Sequence, residues 1–349
     1  RYFYAIGRDG LVTMIDLWTE VPTIVANVKG CHDARSVEAS KFASFEDKYL
    51  IEGCYWPPQY VVYDGLTLKP IQRVDLPMVD IDGVTLDENR VASIVASHND
   101  PVWVIALKES GHVSIVDYSD EEGKDFPLDP TIPTAKFLHD GGFDHTGNYF
   151  LVAANTSNKM VVVDLVTKRL EALIDTGLDS IPHPGRGVNW LDPVHGWVNA
   201  TPHIGEGKVL VYGADPVGNP YDAWQIVREI TLPSSGSLFI KSHPTSPWVL
   251  VDMALSATGF EKHICAISKV TGARADDLAV SVDPDGDGCF TVATNGKAVH
   301  MEFNMDGSEV WVSDWAPDGA VIVLDSIELT EIRRFTGLPT PTGKFNVYN

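Results

Sequence analysis

Cysteine is scarce in this chain. There are four in 349 residues, Cys31, Cys54, Cys265 and Cys289. None forms a Cys-x-x-Cys pair, and no Cys-x-x-Cys-His stretch is present for covalent attachment of a c-type haem. Their spacing points neither to a zinc site nor to a dense disulfide framework. Long apolar runs are also missing, and no stretch reaches the roughly 18 residues of a membrane span. Basic residues are few, 26 against 48 acidic ones, for a formal net charge of -22. That balance excludes a nucleic-acid footprint, which needs clustered cations, and disfavours anionic lipid. Any small anionic ligand would need locally gathered Arg, Lys or His, whereas a cationic soluble partner would be attracted. Helical periodicity is nearly absent as well.

What the chain holds instead is turn chemistry and short apolar strands, with 29 Gly, 22 Pro and nine Trp. A strand ending at a shared position recurs as Val12-Thr-Met-Ile-Asp16, Tyr60-Val-Val-Tyr-Asp64, Val113-Ser-Ile-Val-Asp117, Met160-Val-Val-Val-Asp164, Val209-Leu-Val-Tyr-Gly213 and Val321-Ile-Val-Leu-Asp325, with a weaker copy at Ile264-Cys-Ala-Ile-Ser268. The copies lie roughly 47 to 57 residues apart, the spacing of four-stranded propeller blades. Each copy follows another apolar strand and precedes a turn and a further strand, so each repeat reads as one sheet. A lone four-stranded sheet cannot bury both faces, whereas radial packing of sheets can. The expectation is an all-β propeller with seven copies visible and no internal domain boundary. The first residues, Arg1-Tyr-Phe-Tyr-Ala-Ile-Gly7, read as mid-strand, so the natural N-terminus is expected to lie upstream, and the absence of a leader is uninformative.

Two histidines stand in turn-like settings, His98 in Ala-Ser-His-Asn-Asp and His139 in Phe-Leu-His-Asp-Gly-Gly. Paired imidazoles where a repetitive scaffold breaks pattern suit a reaction that moves protons at neutral pH. The plain alternative is that each caps a turn.

Several segments, in order, resemble the haem d1 propeller domain of cytochrome cd1 nitrite reductases. They are Gly7-Arg-Asp-Gly-Leu-Val-Thr-Met-Ile-Asp-Leu-Trp18, Asp33-Ala-Arg-Ser36, Glu46-Asp-Lys-Tyr49, Tyr55-Trp-Pro-Pro-Gln-Tyr60, Ala96-Ser-His98, Phe137-Leu-His-Asp-Gly-Gly142, Pro182-His-Pro-Gly-Arg-Gly187, Gly236-Ser-Leu-Phe-Ile-Lys-Ser-His-Pro244 and Thr340-Pro-Thr-Gly-Lys-Phe-Asn-Val-Tyr-Asn349. The resemblance runs nearly end to end, so 1–349 is read as one haem d1-binding domain. It implies an eight-bladed propeller holding haem d1 and its iron, a periplasmic location, and one-electron reduction of nitrite to nitric oxide in denitrification. Electrons would come from a c-type cytochrome or cupredoxin, and the assembly would be a homodimer.

The resemblance also assigns residues. His98 and His139 match a pair of distal histidines, which would supply the two protons consumed as one nitrite oxygen leaves as water. Arg8 and Arg35 match basic residues near the cofactor's carboxylates, where a guanidinium fork fits best; surface ion pairing is the alternative. Tyr55 matches an aromatic at the cofactor rim, or is a buried tyrosine beside Trp56 and Pro57. Arg186 would reach a carboxylate from a proline-locked turn in which His183 is scaffold. Thr340 and Thr342 match a segment lying along the cofactor. The proximal iron ligand and a haem c domain are expected upstream of Arg1, so no residue here is assigned to the metal and haem c enters only with such a domain. The chain departs from the pattern at Ser157, where arginine is expected, and at His300, where glutamine is, although an imidazole also offers a donor and an acceptor. Asp283-Pro-Asp-Gly-Asp-Gly288 has half a calcium-loop pattern, but Thr294 stands where the closing Glu should; an acidic turn is the better reading. Two alternatives to the reductase are a haem d1 maturation dehydrogenase of the same propeller family and a non-catalytic carrier or scaffold propeller.

Overall fold

A computed structural model of the chain describes residues 1–120, 122, 124–272, 288–339 and 346–347. The described residues form 27 strands, two single-turn 3₁₀ segments and no helix long and apolar enough to cross a membrane. The chain divides into two compact units, Arg1–Ala172 and Leu173–Asn349.

The first unit holds four antiparallel sheets in chain order. They are β1 (Tyr2–Ile6), β2 (Leu11–Asp16) and β3 (Thr23–Lys29); β4 (Asp33–Ala39), β5 (Tyr49–Trp56), β6 (Gln59–Asp64) and β7 (Pro70–Asp75); β8 (Val91–Ala96), β9 (Val102–Leu107), β10 (His112–Asp117) and β11 (Leu128–Pro133); and β12 (Leu138–Phe143), β13 (Tyr149–Ala154), β14 (Lys159–Asp164) and β15 (Arg169–Asp175), the last reaching past the division. The second unit holds three more. These are β16 (Asn189–Asp192), β17 (Gly196–Pro202), β18 (Lys208–Gly213) and β19 (Ile226–Thr231); β20 (Ile240–Ser242), β21 (Trp248–Asp252), β22 (His263–Ser268) and β23 (Cys289–Thr291); and β24 (Lys297–Phe303), β25 (Glu309–Trp315), β26 (Ala320–Asp325) and β27 (Glu331–Thr336). Strands follow one another across each sheet, the blade arrangement of a propeller. The all-β propeller class therefore stands. The described residues make seven sheets rather than the eight blades expected, because the strand repeat itself occurs seven times.

Within each unit, apolar cores lie between consecutive sheets. One joins the first and second sheets through Val12, Met14, Leu50 and Tyr63, and another the second and third through Ile51, Tyr60, Ile94 and Trp103. A third joins β8–β11 to β12–β15, and in the second unit two more lie between neighbouring sheets. Middle strands such as β9 are buried on both faces and so read as continuous apolar runs, whereas the last strands, β7, β15 and β27, are largely exposed.

The shared position of the repeat has a mechanical reason. Asp64 Oδ1 accepts the backbone N–H groups of Leu66 and Thr67, Asp164 Oδ1 those of Val166 and Thr167, and Asp325 Oδ1 those of Ile327 and Glu328. Asp16 and Asp117 do the same for Trp18 and Ser119. Each carboxylate closes an Asx turn between the third and fourth strands of its blade, or their counterparts in the three-stranded sheet. Ser268 Oγ takes the role in the weaker copy.

The sparse cysteines are all paired, in Cys31–Cys54 and Cys265–Cys289, one bridge in each unit. Spacing alone had pointed to no such framework. The second bridge joins directly opposed residues of β22 and β23.

Candidate functional site

The strands β4, β8 and β12 begin their sheets and pack side by side in the first unit. Near the starts of β8 and β12, the Lys108 N–H donates to the Arg90 carbonyl (2.9 Å) and the Leu138 N–H donates to the Lys108 carbonyl (3.2 Å). Past their far ends, Asn99 Nδ2 donates to the Thr146 carbonyl at 2.8 Å. Both strands therefore run the same way. His139 lies at the start of β12, while His98 lies in the turn after β8. At about 3.3 Å per residue, the two imidazoles are separated by about 20 Å along the strands. They do not form a pair. His98 is exposed, in a turn where Ser97 Oγ accepts the N–H groups of Asn99 and Asp100. Ser97, not His98, caps this turn, and the paired role of His98 with His139 is corrected.

His139 has other company. Its Nδ1 lies 3.4 Å from Asp140 Oδ1, and the pair occupies a bulge where the β12–β13 register slips between Leu138 and Gly141. The same slip occurs in β4 at Arg35, between Ala34 and Ser36, and in β8 at Ala92, between Val91 and Ser93. A bulge puts one extra residue into a strand and re-aims its side chain. Several first strands thus share one special slot near the same end of their sheets.

Cations gather at that end. Arg8, in the β1–β2 turn, lies over the Tyr55 ring at 5.0 Å and reaches Asp33 at 3.4 Å. Arg90 lies over the same ring at 5.3 Å. It is fixed by Glu109, which accepts its backbone N–H (2.7 Å) and its Nε–H (2.6 Å), and by Glu88 at 3.2 Å. Burial first, then the Arg90 guanidinium and, more weakly, that of Arg35, hold the Lys108 ammonium below its usual range, against the pull of Glu109 and Asp140. The four cations stand among carboxylates, Asp33 at Arg8 and Glu88 and Glu109 at Arg90, so they gather positive charge without a net excess of it.

Beside them is a cleft of about 560 Å³ lined by Trp56, Leu86, Phe137, Lys136 and the carboxylates of Asp80, Asp87, Glu88 and Glu109. Lys136 bridges Asp80 (2.6 Å) and Asp82 (2.5 Å), and it holds the Asp80 carboxyl below the usual range. Ser157, where arginine was expected, instead hydrogen-bonds the Lys136 carbonyl.

In the second unit, Arg186 is exposed in its turn. His183 is buried beside it, with Nδ1 2.8 Å from the Leu238 carbonyl and its ring edge-on to Phe239. His300 is the extra residue of another first-strand bulge, where the β24–β25 register slips between Val299 and Met301. Its Nε2 is 3.3 Å from Glu302 Oε2, which Lys241 Nζ approaches to 3.0 Å. Thr340, Thr342 and most of the Asp283–Gly288 stretch lie outside the described residues. Arg90, Lys108, Glu302 and Lys241 escaped the reading of the sequence. Aligning the starts of the first strands, not only the ends of the third, would have drawn attention to Arg90, which immediately precedes β8.

A chain 42% identical across all of this one is nitrite reductase of Stutzerimonas stutzeri, of which the match spans 63%. Dihydro-heme d1 dehydrogenase of Pseudomonas aeruginosa is 29% identical over the full chain and 63% of its own length. The chain thus spans about 63% of the length of these curated relatives. Among solved structures, dihydro-heme d1 dehydrogenase NirN in complex with DHE superposes with a TM-score of 0.79 at 26% identity, over 99% of this chain and 66% of that one. The model of the cytochrome D1 heme domain matches residues 1–349. With the whole of residues 1–349 matched and a relative 42% identical across them, this chain belongs to the cytochrome D1 heme domain family.

Proposed function

We propose that the chain is the haem d1-holding propeller of a nitrite reductase that reduces nitrite to nitric oxide. The single observation that carries this is the pair of guanidiniums, Arg8 and Arg90, over the Tyr55 ring, with Lys108 close enough to feel the charges of Arg90, Arg35 and Asp140. It fits a flat cofactor bearing carboxylates. Arg8, Arg35 and Lys108 would take the carboxylates, Arg90 being held by Glu109 and Glu88, and Tyr55, 7% exposed and faced by two guanidiniums, would form the rim. Arg186, His300, Thr340 and Thr342 remain proposed contacts, and no residue of this chain is assigned as the proximal iron ligand. Haem d1, when bound, supplies the iron centre for the one-electron chemistry.

The chain's own residues bind, orient and donate. Nitrite, two protons and one electron give nitric oxide and water. His139 holds one proton on its imidazolium, with Asp140 orienting the ring, and releases it to the departing oxygen. The pinned Arg90 keeps the Tyr55 wall in place. Two disulfides suit an oxidising compartment, which supports a periplasmic setting. A c-type cytochrome or cupredoxin as donor, a haem c domain elsewhere in the protein and a homodimer complete the proposal. The maturation dehydrogenase reading is not favoured, since that relative is the more distant, 29% against 42% identical.

The test is nitrite turnover by the chain reconstituted with haem d1 and a reductant. His139→Ala should lower turnover about 100-fold with cofactor content unchanged, the usual scale for a lost proton donor, while His98→Ala should leave it at the wild-type rate. Equal losses in both variants would restore the distal pair; cofactor loss in His139→Ala would make His139 a binding residue.

A further inference from the structure

His300 differs from an ordinary strand histidine in three respects. It is the extra residue of the β24 bulge, with φ of 55°, a backbone state in which histidine is among the few enriched side chains. It is buried, packed 4.6 Å from the Phe239 ring, with its N–H given to Asp252 Oδ2 at 3.1 Å. And its imidazole is backed by an anion that itself has a cation behind it, the row His300, Glu302, Lys241. Within its own sheet, His300 holds the slot that Arg35 and His139 hold in theirs.

Each part of the row has a consequence. The hydrogen bond from His300 and the charge of Lys241 keep the Glu302 carboxyl below its usual range although burial opposes this. An ionised Glu302 takes the Nε2–H of His300, which fixes the ring and stabilises the imidazolium. Lys241 acts in the opposite direction, so the row sets how readily the ring gives up its second proton. The other charged groups on the elements packed against β24 are Asp252 at the end of β21, which takes the N–H groups of Leu238, Phe239 and His300, and on β25 Asp314, which takes those of Asn295 and Gly296, and Glu309, which takes the Trp311 Nε1–H and pairs with Arg333.

We propose that His300 is a proton-donating residue of the second unit, with Glu302 and Lys241 as its positioning residues. Its ligand is an oxyanion or a carboxylate-bearing cofactor at the bulge. The proton leaves Nδ1 for a ligand oxygen, no electron moves at the residue, and the neutral ring is reprotonated from water. The donor role rests on the haem d1 reading; the tuning by Glu302 and Lys241 does not.

Imidazole titration by NMR on the cofactor-free chain, with the His300 signal assigned from its loss in His300→Gln, separates the two. Glu302→Gln should lower the midpoint of His300 by about one pH unit, and Lys241→Met should raise it. Midpoints that stay put in both folded variants overturn the tuning, and Lys241→Met keeps the question decidable if Glu302→Gln does not fold. In the reconstituted protein, His300→Gln should displace the alkaline limb of the pH–rate profile, where a proton donor is lost by deprotonation. An unchanged profile in a protein that turns over nitrite overturns the donor role, whereas a wild type without turnover overturns the nitrite reading alone.

Discussion

Glu52 carries a carboxyl where its sheet has no room for a charge. It is wholly buried on β5; one oxygen takes the Tyr63 hydroxyl at 2.6 Å, and Oε1 has no hydrogen-bond partner among the described residues. Burial pushes the group up to about 7, against the bonds from Tyr63 and Gly30. Because the folded value exceeds the ordinary carboxyl value of 4.5, the folded chain binds this proton more tightly than the unfolded one. The resulting stability is complete below that lower value and is lost as the pH rises through the upper one. Unfolding measured from about pH 4 to about pH 8 should show a decline of roughly 3 kcal/mol, and Glu52→Gln should flatten it. A variant retaining the full slope would locate the titration elsewhere. At this scale the sequence was only partly legible. His139 and His98 both sit among turn-forming neighbours, but strand direction decides to which end of a sheet a turn belongs, and a mistake of one turn moves a side chain the length of a strand.

Elements were read best where their signal is local. The recurring aspartate was visible because an Asx turn uses a side chain two or three residues from the backbone groups it binds. Asp164→Ala removes two such bonds, at 2.8 and 3.1 Å, and should destabilise the fold by about 1 kcal/mol in denaturant titration, while Asp164→Asn should retain most of that. Equal losses for Ala and Asn would mean that charge, not turn geometry, matters there. The bulges at Arg35, Ala92, His139 and His300 could not be read in the same way. A register slip belongs to a pair of strands, and no single strand's pattern of apolar residues reveals it.

On the scale of the whole molecule, each unit carries its own covalent staple, closing 23 and 24 residues. Loops of that size limit the unfolded chain enough to contribute about 3 kcal/mol each. Reduction with dithiothreitol should therefore lower the thermal midpoint, and Cys31→Ala with Cys54→Ala should reproduce only the first unit's share. A midpoint insensitive to reductant would show that the bridges do not staple the fold in solution. The pairings were hidden because each bridge joins segments that only the sheet brings together, Cys54 on β5 to a residue ahead of β4 and β22 to β23, whereas the seven-copy repeat and the propeller class were plain from spacing.

The aspartates Asp16, Asp64, Asp117, Asp164 and Asp325 close the outward turns, and in complete sheets that is the margin opposite the start of the first strand. Such a blade is buttoned along one hem and left open along the other. Histidines, arginines or an added residue can be exchanged along the open hem without undoing the buttons, so a new ligand preference can arise by small edits. Part of the chain's acidity is then a matter of tailoring, present whatever the molecule binds.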